Sequence, residues 1–197
     1  MKLRAHMLVL ATLAFSAVAF GQYAVDDPTQ VHYFSNLNFG DSVINMTNTG
    51  ASGGSICVNV YTFAPDEQEI SCCSCPITVN GLASLSVTGD LISNVLTPST
   101  PKSVTVELSA TTQPGTGCNA AVVGTPAIGL RAWGTDLHAA PTVPVTHVVT
   151  ETPFLTSDLG AAQIATNAQL CHFIGILGSG FGICASCRLG GLGAQQQ

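Results

Sequence analysis

The stretch KSVTVELSA, Lys102–Ala110, decides the fold class, because polar and apolar residues alternate through it from Ser103 onward. Strand side chains point to opposite faces at every second residue, so Val104, Val106 and Leu108 share one face and Ser103, Thr105, Glu107 and Ser109 the other. The pattern predicts a strand with its valine and leucine face inward and its Ser/Thr/Glu face toward water.

The same texture extends outward. From Val31 to Thr111, runs rich in Val, Ile, Thr, Tyr and Phe are broken by Gly, Asn, Asp and Pro about every ten residues, the pattern of a sandwich or barrel. The predicted strands are His32–Phe39, Ser42–Thr47, Ile56–Phe63, Gln68–Cys72, Ala83–Thr88 and Ser103–Ala110. Phe39-Gly40-Asp41 and Asn48-Thr49-Gly50 supply residues that tolerate positive φ at turns. Pro98, Pro101 and Pro114 fall between strands, where a missing N–H is harmless.

After Cys118 the texture changes. Ile128–Trp133 and Val143–Val149 read as further strands, with a loop over Gly134–Pro141. Ser157 or Asp158 is placed to cap a helix from Leu159 to about Ile176, with Ala161, Ile164, Ala165, Ala168 and Cys171 at helical spacing and Gly178 at its end. The tail GLGAQQQ reads as disordered, and no long internal repeat supports a solenoid.

The chain starts with a basic pair, Lys2 and Arg4, an apolar run from Met7 to Phe20, and Ala17 and Ala19 at A-x-A spacing, which predicts a signal peptide. A lipoprotein would need a cysteine at the cleavage site, yet the first is Cys57, and a pilin would keep its apolar helix after processing. The expected organisation is a signal peptide over 1–21, a β-sandwich domain over 22–150, a helical and Cys-x-x-Cys extension over 151–190 and a tail over 191–197. A secreted, extracellular or periplasmic product follows, with no membrane span after cleavage. Without Lys2 and Arg4, three basic residues face eleven acidic ones, a net charge of −8 that disfavours nucleic acid as a partner.

The run FSNLNFGDSVINMTNTGAS, Phe34–Ser52, resembles the opening hairpin of immunoglobulin-like modules in bacterial envelope and secreted proteins. The Cys-rich middle and C-terminus resemble secreted proteins of acidobacterial type. The resemblance implies an immunoglobulin-like β-sandwich stapled by disulfides, with a C-terminal helix and a Gly-rich, Cys-containing tail. It implies no activity.

The main chemical signal is the eight cysteines, Cys57, Cys72, Cys73, Cys75, Cys118, Cys171, Cys184 and Cys187. In an exported chain an even count predicts a disulfide framework, although eight cysteines allow 105 pairings. A bond between adjacent Cys72 and Cys73 would be strained, so the Cys72–Cys75 cluster is expected to pair outward with Cys57, Cys118 and the C-terminal cysteines.

Three alternatives use the same residues. Haem attachment needs Cys-x-x-Cys-His, and Cys187 is followed by Arg188. A zinc site would take Cys72, Cys75, Cys184 and Cys187 as thiolate ligands. Thiol–disulfide exchange at Cys184–Cys187 would need a helix N-terminus in a βαβ setting, which the Gly-rich context does not offer.

Elsewhere, Gly178–Gly182 follows a helix instead of a strand, so it is no phosphate cradle. Asp66-Glu67-Gln68-Glu69 lacks EF-hand spacing and reads as a solvated turn. His138, near Asp136 and Trp133, reads as a loop histidine, and the Asn45-Met46-Thr47 sequon is assigned no role. With no catalytic set or cofactor visible, the expected function is that of a secreted, non-catalytic structural or interaction protein of the cell surface, in adhesion, surface assembly or a filament. Its expected partners are itself or other surface components. In that reading Gln22–Val31 could add as a strand to a neighbour's sheet edge.

Overall fold

The structure is a computed structural model that describes residues 27–97, 99–112, 117–140, 146–177, 182–184 and 187–190. The expected signal peptide, most of the Gly178–Gly182 run, Pro114 and the tail over 191–197 lie outside these residues.

Two antiparallel sheets face each other. The first is ordered β10 (Leu155–Thr156), β1 (Thr29–Phe34), β6 (Val104–Thr112), β3 (Ile56–Phe63), β4 (Glu69–Ile77), with the short β7 (Thr125–Pro126) also beside β6. The second is ordered β11 (Arg188–Leu189), β5 (Leu82–Ser86), β2 (Val43–Asn48), β8 (Leu130–Ala140), β9 (Thr146–Pro153). β2 pairs with β5 in one sheet and β3 with β6 in the other, so the two central pairs of the sandwich interlock. Around that centre β1 flanks β6 and β8 flanks β2.

The inner face follows the alternation. Val104, Val106, Leu108 and Ala110 of β6 are buried against Val58 and Val60 of β3 and Ile44 and Met46 of β2. The outer face of β6 departs from expectation, since Ser109 is only 3% exposed and Glu107 is half-buried. The reason is a second layer: helix α1 (Ala161–Leu177) packs across this face, and Tyr61, Cys72, Ala120, Cys171 and Ile174 form a separate small core there.

α1 begins two residues later than expected. Ser157 does not cap it, because its N–H donates to Thr29 O (3.0 Å) and its carbonyl accepts from Thr29 Oγ1, tying it to the first sheet. Its buried stripe is Asn167, Ala168, Cys171 and Ile174, while Ala161 and Ala165 face outward.

Three further boundaries move for local reasons. β1 ends at Phe34 because Asn36, at φ 60°, turns the chain before Gly40. β5 stops at Ser86, where its Oγ accepts from Gly89 N (2.7 Å) and its N–H donates to Asp90 (2.7 Å), opening a π-helical turn over Val87–Ile92. The loop expected over Gly134–Pro141 is instead strand up to Ala140, paired with β2 on one side and β9 on the other. Gly134 belongs there because a Cβ would lie 2.8 Å from His32 Nε2 and 2.9 Å from Phe34 Cε1.

The domain boundary expected at residue 150 falls inside β9, and the segment after it feeds both sheets. Phe154 crosses from β9 to β10, and β11 extends the second sheet. Thr29–Val31, expected as a strand for a neighbouring subunit, are already paired between β6 and β10 or beside β6. Among the described residues no helix is long and apolar enough to cross a membrane.

Candidate functional site

All eight cysteines are paired, as Cys57–Cys118, Cys72–Cys171, Cys73–Cys184 and Cys75–Cys187. Strand alternation explains how adjacent cysteines avoid each other: Cys72 points to the outer face of β4, toward α1, whereas Cys73 and Cys75 point inward with Val58 and Val60. The cluster therefore takes its partners from the C-terminal segment alone, and Cys57 joins Cys118 instead of the cluster.

The zinc set Cys72, Cys75, Cys184 and Cys187 is spread over three bridges, with Cys72 on the opposite face of β4 from Cys75. Cys184 and Cys187 bond to β4 and not to each other. The sulfurs that do converge are those of Cys73, Cys75 and Cys187, all within 4.8 Å of one another.

After α1, the chain runs along the free edge of β4. Cys72 N–H donates to Gly182 O (2.7 Å), and Cys184 N–H donates to Cys72 O (3.1 Å). Arg188 and Leu189 then pair with β5. This strap covers one lateral edge of the sandwich and links the outer edges of both sheets.

Beneath α1 the outer face of the first sheet holds two acidic side chains. Glu69 opens β4 at the point where its register with β3 shifts, and it is 5% exposed, with neither carboxylate oxygen hydrogen-bonded within the protein. The solvated turn read from the sequence ends one residue earlier. Burial, reinforced by the like charge of Glu107, pushes the Glu69 carboxyl up to about 8. Burial also raises Glu107, offset by a hydrogen bond from Asn167 Nδ2 (2.6 Å), whose Oδ1 accepts from Gln163 Nε2 (2.8 Å). Tyr61 lies between them, donating its hydroxyl to Ala120 O (2.8 Å), and burial holds its pKa above the usual range.

Glu69 also forms part of a groove of about 390 Å³, lined by Glu67, Gln68, Leu96, Leu170, Phe173 and Ile174. The carboxylate lies within 4.8 Å of both sulfurs of the Cys72–Cys171 bridge.

The histidines do not converge. His32 meets the Asp136 carboxylate through Nε2 at 3.0 and 3.1 Å, and its ring packs on Phe34 and Phe154. His138 sits on a strand, exposed, against Thr150 Oγ1 (2.8 Å), and His172 is exposed on α1. His147 lies in β9. Sequence reading missed Glu69, Glu107 and Asn167. The available signal was Asn167 one turn before Cys171, on the face that a disulfide would pull against the sheet.

Comparison with protein-family models, with curated proteins and with solved structures gives no match.

Proposed function

We propose that the chain is an exported, non-catalytic structural or interaction protein, working at a cell surface or in the extracellular space. The observation that carries this reading is β4, whose three cysteines bind α1 on one face and the C-terminal strap on the other. Such cross-linking stabilises a fold through its unfolded state, by very roughly 2–4 kcal/mol per long-range bridge. Four disulfides fit an extracellular or periplasmic location, where thiols are oxidised. Apolar side chains left on the surface, among them Tyr33, Val149 and Leu155 near the β1 and β9 edge, supply contact area for a partner or a second copy.

A second reading, an exported metal or redox module, rests on the convergence of Cys73, Cys75 and Cys187. Intact mass of the secreted protein separates the two, with alkylation under native and reducing conditions and elemental analysis alongside. The structural reading expects no alkylation before reduction and no metal. Free thiols or stoichiometric zinc would overturn it. Negative-stain microscopy of the concentrated protein tests assembly, and monodisperse monomers would count against a filament.

A further inference from the structure

We propose that the C-terminal strap is a latch opened by a dithiol, in which attack on one strap bridge makes Cys73 and Cys75 pair with each other, so that a single two-electron reduction frees both Cys184 and Cys187. This goes beyond the structural reading above and gives two of the four bridges a conditional role.

The geometry that carries it is the crowding of sulfur on the inner face of β4. Cys73 and Cys75 share that face, and Cys73 Sγ lies within 4.8 Å of both sulfurs of the Cys75–Cys187 bridge although its own bond is to Cys184. Two residues of strand span roughly 6.6 Å. That falls within the Cα separation a disulfide closes, which reaches roughly 6.8 Å. A thiolate released at either β4 cysteine therefore has the neighbouring bridge as its nearest electrophile, and exchange proceeds by thiolate attack on a disulfide sulfur.

Access comes from the strap side. Of the four cysteines in these bridges Cys187 alone is half-buried, the others being buried. A hollow of about 300 Å³ is lined by Cys73, Cys184 and Cys187, with Ser74, Asn119 and Ile183, and Cys75 is not among its lining residues. An incoming thiolate thus meets the strap end of the Cys75–Cys187 bridge, which makes Cys75 the leaving sulfur.

The electrons balance as follows. The dithiol bonds to Cys187 and expels the Cys75 thiolate, which attacks Cys73 Sγ, forms Cys73–Cys75 and expels the Cys184 thiolate. The second thiol of the reductant then closes its own ring and releases Cys187. One dithiol has become a cyclic disulfide, its two protons rest on Cys184 and Cys187, and the two strap bridges have become one bridge within β4. Entry at Cys184 gives the same product, because the freed Cys73 closes on Cys75 and expels Cys187.

Release uncovers a sheet edge. β4 is the last strand of its sheet, and the Cys72 N–H and carbonyl are held by Gly182 and Cys184 of the strap. Without the strap they are free to pair with an added strand.

The test uses the unaltered protein, treated without denaturant with one equivalent of dithiothreitol and quenched with excess N-ethylmaleimide. Peptic fragments are then sequenced by mass spectrometry. The species carrying two labels is expected to hold them on Cys184 and Cys187, a pair that is not bonded in the starting protein, with Cys57–Cys118 and Cys72–Cys171 intact. Labels on a bonded pair, such as Cys75 with Cys187, overturn the proposal. So does earlier opening of Cys57–Cys118 or Cys72–Cys171, or passage straight to eight thiols with no two-label species. In the labelled product, hydrogen exchange at the Cys72 N–H should rise, and unchanged protection would refute release of the edge. Cys184→Ser gives a second route: its one unpaired thiol starts on Cys73 and should be alkylated at Cys187, whereas label confined to Cys73 counts against the exchange. Failure of the structural reading would be seen separately, as free thiols or zinc before any dithiol is added.

Discussion

The two lateral edges of the sandwich are closed by different chemistry. On the β4 and β5 side the strap is covalent, with Cys73–Cys184 and Cys75–Cys187 set into the core and β11 paired to β5. On the β1 and β9 side no disulfide is present among the described residues. There the chain crosses between sheets at Phe154, His32 of β1 reaches Asp136 of β8, and the rings of His32, Phe34 and Phe154 pack together. One edge depends on redox state and the other on packing and hydrogen bonding, so separate perturbations should open them.

The largest effect is expected from replacing both cysteine pairs of the strap with serine, a loss of about 2–4 kcal/mol per bridge in urea unfolding. If that loss is smaller than any single change on the opposite edge, the contrast fails. Next comes Phe154→Ala, which should cost about 3 kcal/mol through the cavity it leaves. Its disulfides should still form, as peptide mapping would show.

Glu69 sharpens the comparison from beneath α1, away from the β1 and β9 edge. Its folded pKa of about 8 lies above the ordinary carboxyl value, so its neutral form contributes stability that is full below about pH 4.5 and lost as pH rises toward 8. Melting temperature should fall across that window, and Glu69→Gln should flatten the fall and gain about 2 kcal/mol at pH 9. A variant as pH-sensitive as the parent would contradict the assignment. The smallest effect is expected from Asp136→Asn, about 1 kcal/mol, because the amide keeps one hydrogen bond to His32. Equilibrium unfolding at pH 7 measures it.

Period-two alternation made the inner sheet faces legible: Ile56–Phe63 was placed with its observed bounds, and Val104, Val106 and Leu108 on their observed side. What alternation cannot tell is whether the second face is wet. Glu107 and Ser109 looked solvent-facing because nothing local announces that a helix some 60 residues later lies over them, as the separation of Asn167 from Glu107 records. The same gap hid Glu69, which closes an acidic run whose other members are exposed. The π-helical turn and the length of β8 escaped for a different reason, since the turn is tied by Ser86 Oγ and Thr88 N–H donating to the distant Asp41, and Gly134 lies against His32 and Phe34 of the other sheet. As for the cysteines, the hub at Cys72–Cys75 was readable from adjacency. Which partner each takes is decided by the face it occupies.

The interleaving of the bridges has a bearing on survival outside a cell. Cys57–Cys118 overlaps the three that run from Cys72, Cys73 and Cys75 to Cys171, Cys184 and Cys187. Every peptide bond between Cys57 and Cys187 is therefore spanned by at least one bridge. A protease that cuts once anywhere in that interval leaves two pieces of one covalent molecule, each still able to hold its place in the sheets.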